Sequence, residues 1–174
     1  MAKTSALDWP KQVHQLLARE KVTQVAYVPD AGHKRLIELC QARRSMRCVP
    51  LTSEQEGVAL LAGAWLGGAR GVLLMQSSGV GNCVNMLGMI QECRFPLLAL
   101  VTMRGEWGEF NPWQVPMGQS TAVVLRESGV IVQAVDTPEA VAETVESAWR
   151  LAFHAYRAVA VLISQRVVGT KNFE

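Results

Sequence analysis

Charge is scarce in this sequence. Only 18% of its 174 residues are Asp, Glu, Lys or Arg, while 49% are hydrophobic. Soluble domains average about 25% charged residues. Too little charge to cover a surface leaves two readings: a compact monomer with an apolar-rich core, or a chain partly covered by another subunit. The net charge of +2 is small, and Arg43, Arg44 and Arg47 form the only basic cluster. Nucleic acid is therefore not an expected partner, since it requires a longer basic face with aromatic platforms. No run of roughly 18 apolar residues occurs, so no membrane-spanning helix is expected. The opening segment, residues 1–8, lacks the apolar centre of a signal peptide. The four cysteines, Cys40, Cys48, Cys83 and Cys93, show no CxxC spacing. They do not read as a zinc site. They are expected to include buried thiols of a reducing compartment, and the expected location is the cytoplasm.

Several catalytic and nucleotide motifs are missing as well. Gly79-Val80-Gly81-Asn82 follows an apolar run, but GxGxxG is incomplete and no acidic residue stands about 20 positions on at a second strand end. No Lys-Ser/Thr pair follows, which excludes an NTPase phosphate loop. Ser77 or Ser78 could be drawn into a triad with His33, but there is no GxSxG elbow. The glycines at 79 and 81 serve either a tight strand-to-helix turn or the close approach of a flat ring to backbone.

What is present is an alternation of apolar strands and helices. Asp8 caps a first helix with Trp9 and Pro10 in its opening turn, and Val13, Leu16 and Leu17 recur at helical spacing. Strands are predicted at residues 22–28, 47–51, 71–75, 97–101, 130–135 and 159–164. Helices are predicted after His33, from Glu54 to Gly67-Gly68, after the loop at residues 76–82, and from Pro138 to His154. Residues 104–119, rich in Gly, Trp and Pro, read as one long irregular stretch, and such loops tend to be functional. The fold class is α/β: a single three-layer domain over residues 1–174 with a central parallel sheet of about six strands. Ligands bind such sheets at the carboxyl ends of the strands. Residues 29–33, 52–54 and 76–82 converge there. Asp30 and His33 lie in the first of these loops, and Arg104 at the end of a buried strand suits an anionic substrate or a salt bridge to Glu106 or Glu109.

The chemistry concentrates in Thr52-Ser53-Glu54-Gln55-Glu56, followed by only small and apolar residues up to Leu66. Such a helix is apolar all round and is expected in the interior. A glutamate at its entrance is pressed towards low dielectric and needs a partner or a proton.

Taken together, Val28-Pro29-Asp30, Glu54 with Ala62-Gly63-Ala64-Trp65-Leu66, Gln76 to Asn85, Arg104-Gly105-Glu106 and Gln114-Val115-Pro116-Met117-Gly118 carry a resemblance over nearly the whole chain. They resemble the pyrimidine-binding domain of thiamine diphosphate-dependent 2-oxo acid decarboxylases. Within that family the likeness is greatest to the separate alpha subunit of sulfopyruvate decarboxylases, with phosphonopyruvate decarboxylases close by. The resemblance implies a glutamate nine residues before the helix glycine, and Glu54 stands nine before Gly63; Glu56, two residues on, reads as a first-turn surface or capping residue and stays the alternative. The family's glutamate is implied to hydrogen-bond a ring nitrogen of the cofactor's aminopyrimidine. It also implies cofactor contacts at Gln76, Ser77, Gly79, Gly81 and Asn82, substrate contacts at Asp30, His33, Arg104 and Gln114, and a catalytic part for His33 beside Glu54. The family's Gly-Asp-Gly motif, which holds the diphosphate and Mg2+, occurs nowhere here. The implied partner is therefore a beta subunit carrying that motif, in a hetero-oligomer with at least two copies of each chain. The small-molecule substrate is a 2-oxo acid: sulfopyruvate is favoured, but Trp107 and Trp113 also suit an aromatic one, and Gly32-His33 departs from the loop serine of the nearest relatives. Two other functions stay open, a non-catalytic regulatory module and a carboligating lyase of the acetolactate synthase type.

Overall fold

The structure, a computed structural model, describes residues 7–169; residues 1–6 of the opening segment lie outside it. Six parallel strands form one sheet in the order β2-β1-β3-β4-β6-β5. They are β1 (Val22–Tyr27), β2 (Arg47–Pro50), β3 (Arg70–Gln76), β4 (Leu97–Thr102), β5 (Ile131–Val135) and β6 (Ala158–Ile163). The helices are α1 (Trp9–Arg19), α2 (Lys34–Gln41), α3 (Glu54–Leu66), α4 (Ser77–Cys93), α5 (Val115–Glu127), α6 (Pro138–Phe153) and α7 (Gln165–Val168). No helix among the described residues is long and apolar enough to cross a membrane.

The sheet is buried on both faces because its central strands are apolar at every position; all six residues of β4 are buried. The two-residue period of the strands divides the core. Val25, Tyr27, Val72, Leu74, Leu98 and Leu100 face α1, α2 and α6. Ala26, Leu73, Met75, Leu97, Ala99 and Val101 face α3, α4 and α5. Asp8 caps α1 as expected, its Oδ1 accepting from Lys11 N at 3.3 Å, and Arg35 also holds that carboxylate.

Three expectations need correction. First, α3 does not sit in the interior. It belongs to a single outer layer, so only one side reaches the sheet. Glu54, Gly57, Val58 and Leu61 are buried, while Ala59 and Gly63 are exposed and Leu66 is 87% exposed. Second, residues 77–82 are not a loop, because α4 begins at Ser77 directly after β3. Third, the long stretch is irregular only as far as Asn111. A 3-10 turn (Pro112–Gln114) leads into α5, where Gly118 packs so close that a Cβ would stand 2.1 Å from the Arg104 carbonyl oxygen. Glycine and proline at 116–118 disguise this helix in the sequence: the proline falls in the first turn, where it costs no hydrogen bond, and the glycine is required by contact.

Candidate active site

After β1 the chain moves outward to β2 and returns on the other side at β3. The crevice at such a reversal, outside the carboxyl ends of the strands, is where ligands bind in doubly wound sheets. Here it gathers Asp30 from the end of β1, Gln76 from β3 and Thr102 from β4. Gln76 Nε2 donates to Asp30 Oδ1 at 3.0 Å, and Asp30 Oδ2 accepts from Thr102 Oγ1 at 2.6 Å and from Gly32 N at 3.0 Å. Ser78 Oγ in turn holds Gln76 Oε1 at 2.8 Å. Thr102 was missed by sequence reasoning, although a polar residue closing an otherwise apolar strand was a usable signal.

Glu54 lies beside this network, 7% exposed, at the first turn of α3. Its carboxylate packs against the start of α4, where the helix dipole favours negative charge. The contact is close because residue 79 is glycine: a Cβ there would stand 2.4 Å from the carboxyl carbon and Oε1 of Glu54. Asn82 Nδ2 donates to Oε2 at 2.8 Å, so Oε1 remains for another partner. Glu56 points elsewhere; it is exposed and its Oε2 accepts from Thr52 N at 3.0 Å, closing the helix entrance. Cys83, also near Glu54, has its thiol pushed up to about 12 by burial and by that carboxylate, and is unreactive at neutral pH.

Other residues named from the sequence have different surroundings from those expected. His33 is fully buried, its Nε2 3.0 Å from the Leu100 carbonyl oxygen, and burial pushes its pKa down despite nearby Asp30. It is a neutral interior ring, neither an exposed loop histidine nor a titrating group open to a ligand. Ser77 is also fully buried, and its Oγ accepts from Arg104 N at 3.0 Å, tying α4 to the loop after β4. Gln114 is half-buried, with Oε1 enclosed and lacking a hydrogen-bond partner among the described residues. Gly81, on the exposed side of α4, has Met117 nearby: a Cβ would meet its sulfur at 3.3 Å.

Arg104 is clamped. Its Nε donates to Glu109 Oε2 at 2.6 Å and its Nη2 to Oε1 at 2.5 Å, in the bidentate fork that guanidinium and carboxylate favour. Glu109 also accepts from the backbone N of Gly105 and Asn111 and from Gln165 Nε2, at 3.0 to 3.1 Å. The Arg104 guanidinium, helped by those backbone donors, holds the Glu109 carboxyl down at about 2. Because the folded value lies below the ordinary 4.5, the stability it contributes is present above the unfolded pKa and is lost as pH falls through the folded one. Glu109→Gln should flatten the acid limb of the stability curve between about pH 4.5 and 2 and cost about 3 kcal/mol at neutral pH. Urea unfolding of both forms across that window measures it; parallel curves would refute the assignment.

Among the described residues no group of three or more His, Cys, Asp and Glu is arranged to hold a metal. A wider cleft of about 530 Å³, lined by Arg19, Lys21, Gly67 and Arg70, opens at the other end of the strands. The carboxyl ends of α1 and α3 point there, and their carbonyl groups work against anion binding.

Comparison with known proteins places this geometry. The family model described as "Thiamine pyrophosphate enzyme, N-terminal TPP binding domain" matches residues 10–112. The sulfopyruvate decarboxylase subunit alpha of Methanococcus maripaludis is 30% identical over 152 residues, covering 87% of this chain and 91% of that protein. The phosphonopyruvate decarboxylase of Streptomyces viridochromogenes is 38% identical over 106 residues, covering 60% of this chain and 27% of that longer protein. Among solved structures, the 2-oxoglutarate:ferredoxin oxidoreductase of Magnetococcus marinus superposes with a TM-score of 0.70 at 15% identity, over 94% of this chain and 29% of that one, a likeness of fold.

Proposed function

The chain belongs to the thiamine pyrophosphate enzymes, through their N-terminal TPP binding domain, and on that premise we propose that it is the pyrimidine-binding subunit of a two-subunit 2-oxo acid decarboxylase. The favoured reaction is the loss of carbon dioxide from 3-sulfopyruvate to give sulfoacetaldehyde. One observation carries the reading: a buried glutamate with one oxygen fixed by Asn82 and the other uncommitted, against a glycine that leaves no room for a side chain. A carboxylate so placed suits the ring nitrogen of an aminopyrimidine.

Bound thiamine diphosphate would supply the electron sink for the departing carboxylate's electron pair. The chain's own work is positioning and proton handling. Glu54 Oε1 holds or receives the proton shared with the ring nitrogen. Gly79 lets the Glu54 carboxylate lie against the backbone of α4, and Asn82 keeps that carboxylate from turning away. Asp30, oriented by Gln76, Thr102 and Gly32, stands in the crevice as the nearest polar group for the 2-oxo acid. Arg104 is held by Glu109 beside this crevice.

Nothing in the sequence matches the Gly-Asp-Gly motif, so the diphosphate and Mg2+ fall to a partner beta subunit. That partner would cover the outer faces of α3, α4 and α5 in a symmetric hetero-oligomer with at least two copies of each chain, in the cytoplasm. Purified alone, the chain should release no carbon dioxide from sulfopyruvate. Coexpressed with a Gly-Asp-Gly partner and given thiamine diphosphate and magnesium, it should release carbon dioxide and aldehyde in equal amounts. A stable complex inert toward every 2-oxo acid would discard the reading in favour of a regulatory module.

A further inference from the structure

Beside Asp30 lies a small cavity that the shared chemistry does not account for. Its volume is about 90 Å³, and Asp30, Gly32, Thr102, Arg104, Val168 and Gly169 line it. That is room for a small cluster of water molecules. A sulfonate or carboxylate group fits such a space; a benzyl group does not. Most of the walls come from strand ends, and one of them is rigid by contact: a Cβ on Gly32 would lie 2.8 Å from the Thr102 methyl group. The remaining wall is the end of α7, a helix of four residues that lies outside residues 10–112, the part matched to the family.

So short a helix has little of its own to hold it in place, and Gln165 supplies the fastening. It is 1% exposed and 59 positions along the chain from Glu106. Its backbone N donates to Glu106 Oε1 at 2.8 Å, its Oε1 accepts from Trp107 N at 3.1 Å, and its Nε2 donates to Glu109 Oε2 at 3.0 Å. Outside, the Arg166 guanidinium stacks 3.8 Å over the Trp107 ring. The wall is thus locked to the loop that carries Arg104, and the two move together or not at all.

We propose that α7, fastened by Gln165, is the wall that sets substrate size at this site, admitting 2-oxo acids with a compact side group and excluding aromatic ones. This rests on the decarboxylase reading above. Gln165 is a positioning residue in it, and Val168 is the side chain that bounds the space.

The test uses the complex with its diphosphate-binding partner and three substrates: sulfopyruvate, pyruvate and phenylpyruvate. The unaltered complex should prefer sulfopyruvate to phenylpyruvate by about 100-fold in kcat/KM. Val168→Ala and Gln165→Ala should each shrink that preference about tenfold, chiefly by lowering the KM for phenylpyruvate. Hydrogen exchange supplies a readout that does not depend on turnover: the Trp107 amide should exchange at least tenfold faster in Gln165→Ala and at an unchanged rate in Val168→Ala. An active complex whose preference is the same in both variants overturns the wall while leaving the decarboxylase standing. Efficient turnover of phenylpyruvate by the unaltered complex does the same. A complex inert toward all three acids, with the exchange result as expected, overturns the proposed function and the specificity role with it.

Discussion

Glu54→Gln should lower kcat of the reconstituted complex by about 10³-fold, within the range for loss of a positioned acid-base group, while the complex still assembles. The substitution keeps shape and size, so packing against Gly79 survives. Asn82 Nδ2, which donates to Oε2 at 2.8 Å, keeps an oxygen to donate to if the new amide turns its carbonyl that way. The other position, now Oε1, then becomes an NH2 group. It donates where a carboxylate accepts and cannot carry a proton back and forth. Binding is retained and proton handling is lost, so kcat should fall far more than cofactor affinity. The control is Glu56→Gln. Glu56 accepts from Thr52 N at 3.0 Å on the exposed side of α3, and Gln keeps an oxygen for that bond, so the change should cost less than about 1 kcal/mol of stability and leave kcat alone. Full turnover in the Glu54 variant, or collapse of turnover in the Glu56 variant instead, would remove Glu54 from the chemistry.

That Glu54 and Glu56 can be told apart at all shows how much was legible before any coordinates. Both stand in the first turn of the same helix, and composition treats them alike. The spacing to Gly63 that the family resemblance implies pointed to the first, and in the structure it is Glu54 that meets Gly79 and Asn82. The strands were equally readable, because fully apolar runs such as Leu97–Val101 have few other fates in a sheet covered on both sides. What local sequence could not carry was distance. Gln165 reads as an ordinary polar residue near a chain end; its role depends on backbone amides brought to it by the parallel pairing of β4 and β6. His33 sits among turn formers and reads as exposed, yet tertiary packing buries it against β4. Arg104 was placed correctly at a strand end, with Glu109 named among its possible partners. Which of its two readings the fold would realise depended on a five-residue loop closing back on itself, with Gly105 at φ 77 making the turn. Helix α5 was hidden for a related reason: Gly118 looks like a breaker but is there because Arg104 leaves no room for a Cβ.

Leu66→Asp and Val84→Asp should each weaken association with the proposed diphosphate-binding partner by at least about 30-fold while leaving the free chain folded. Leu66 is 87% exposed and Val84 47%, each on an outward helix face. The surface there leaves room for a partner: a Cβ added at Gly63 or at Gly88 would meet nothing within 4 Å. Exposed substitutions that break no contact usually change stability by less than about 0.5 kcal/mol, so thermal unfolding of the isolated variants should match the parent. In a complex the same position becomes an interface core, where an unpaired buried charge is costly and a hot-spot loss of about 2 kcal/mol or more is expected, at least a 30-fold rise in Kd. Glu54 explains why this face is the relevant one. Asn82 and Gly81, its neighbours on α4, are exposed on the same layer as Leu66 and Val84. On the proposed function, a cofactor whose other end is held by a second chain would reach Glu54 from there. Sedimentation of mixed subunits measures the association, and the activity of the same mixtures should fall in step. Wild-type affinity in the Leu66 variant would move the partner off α3 and require Glu54 to be approached from the strand-end crevice alone.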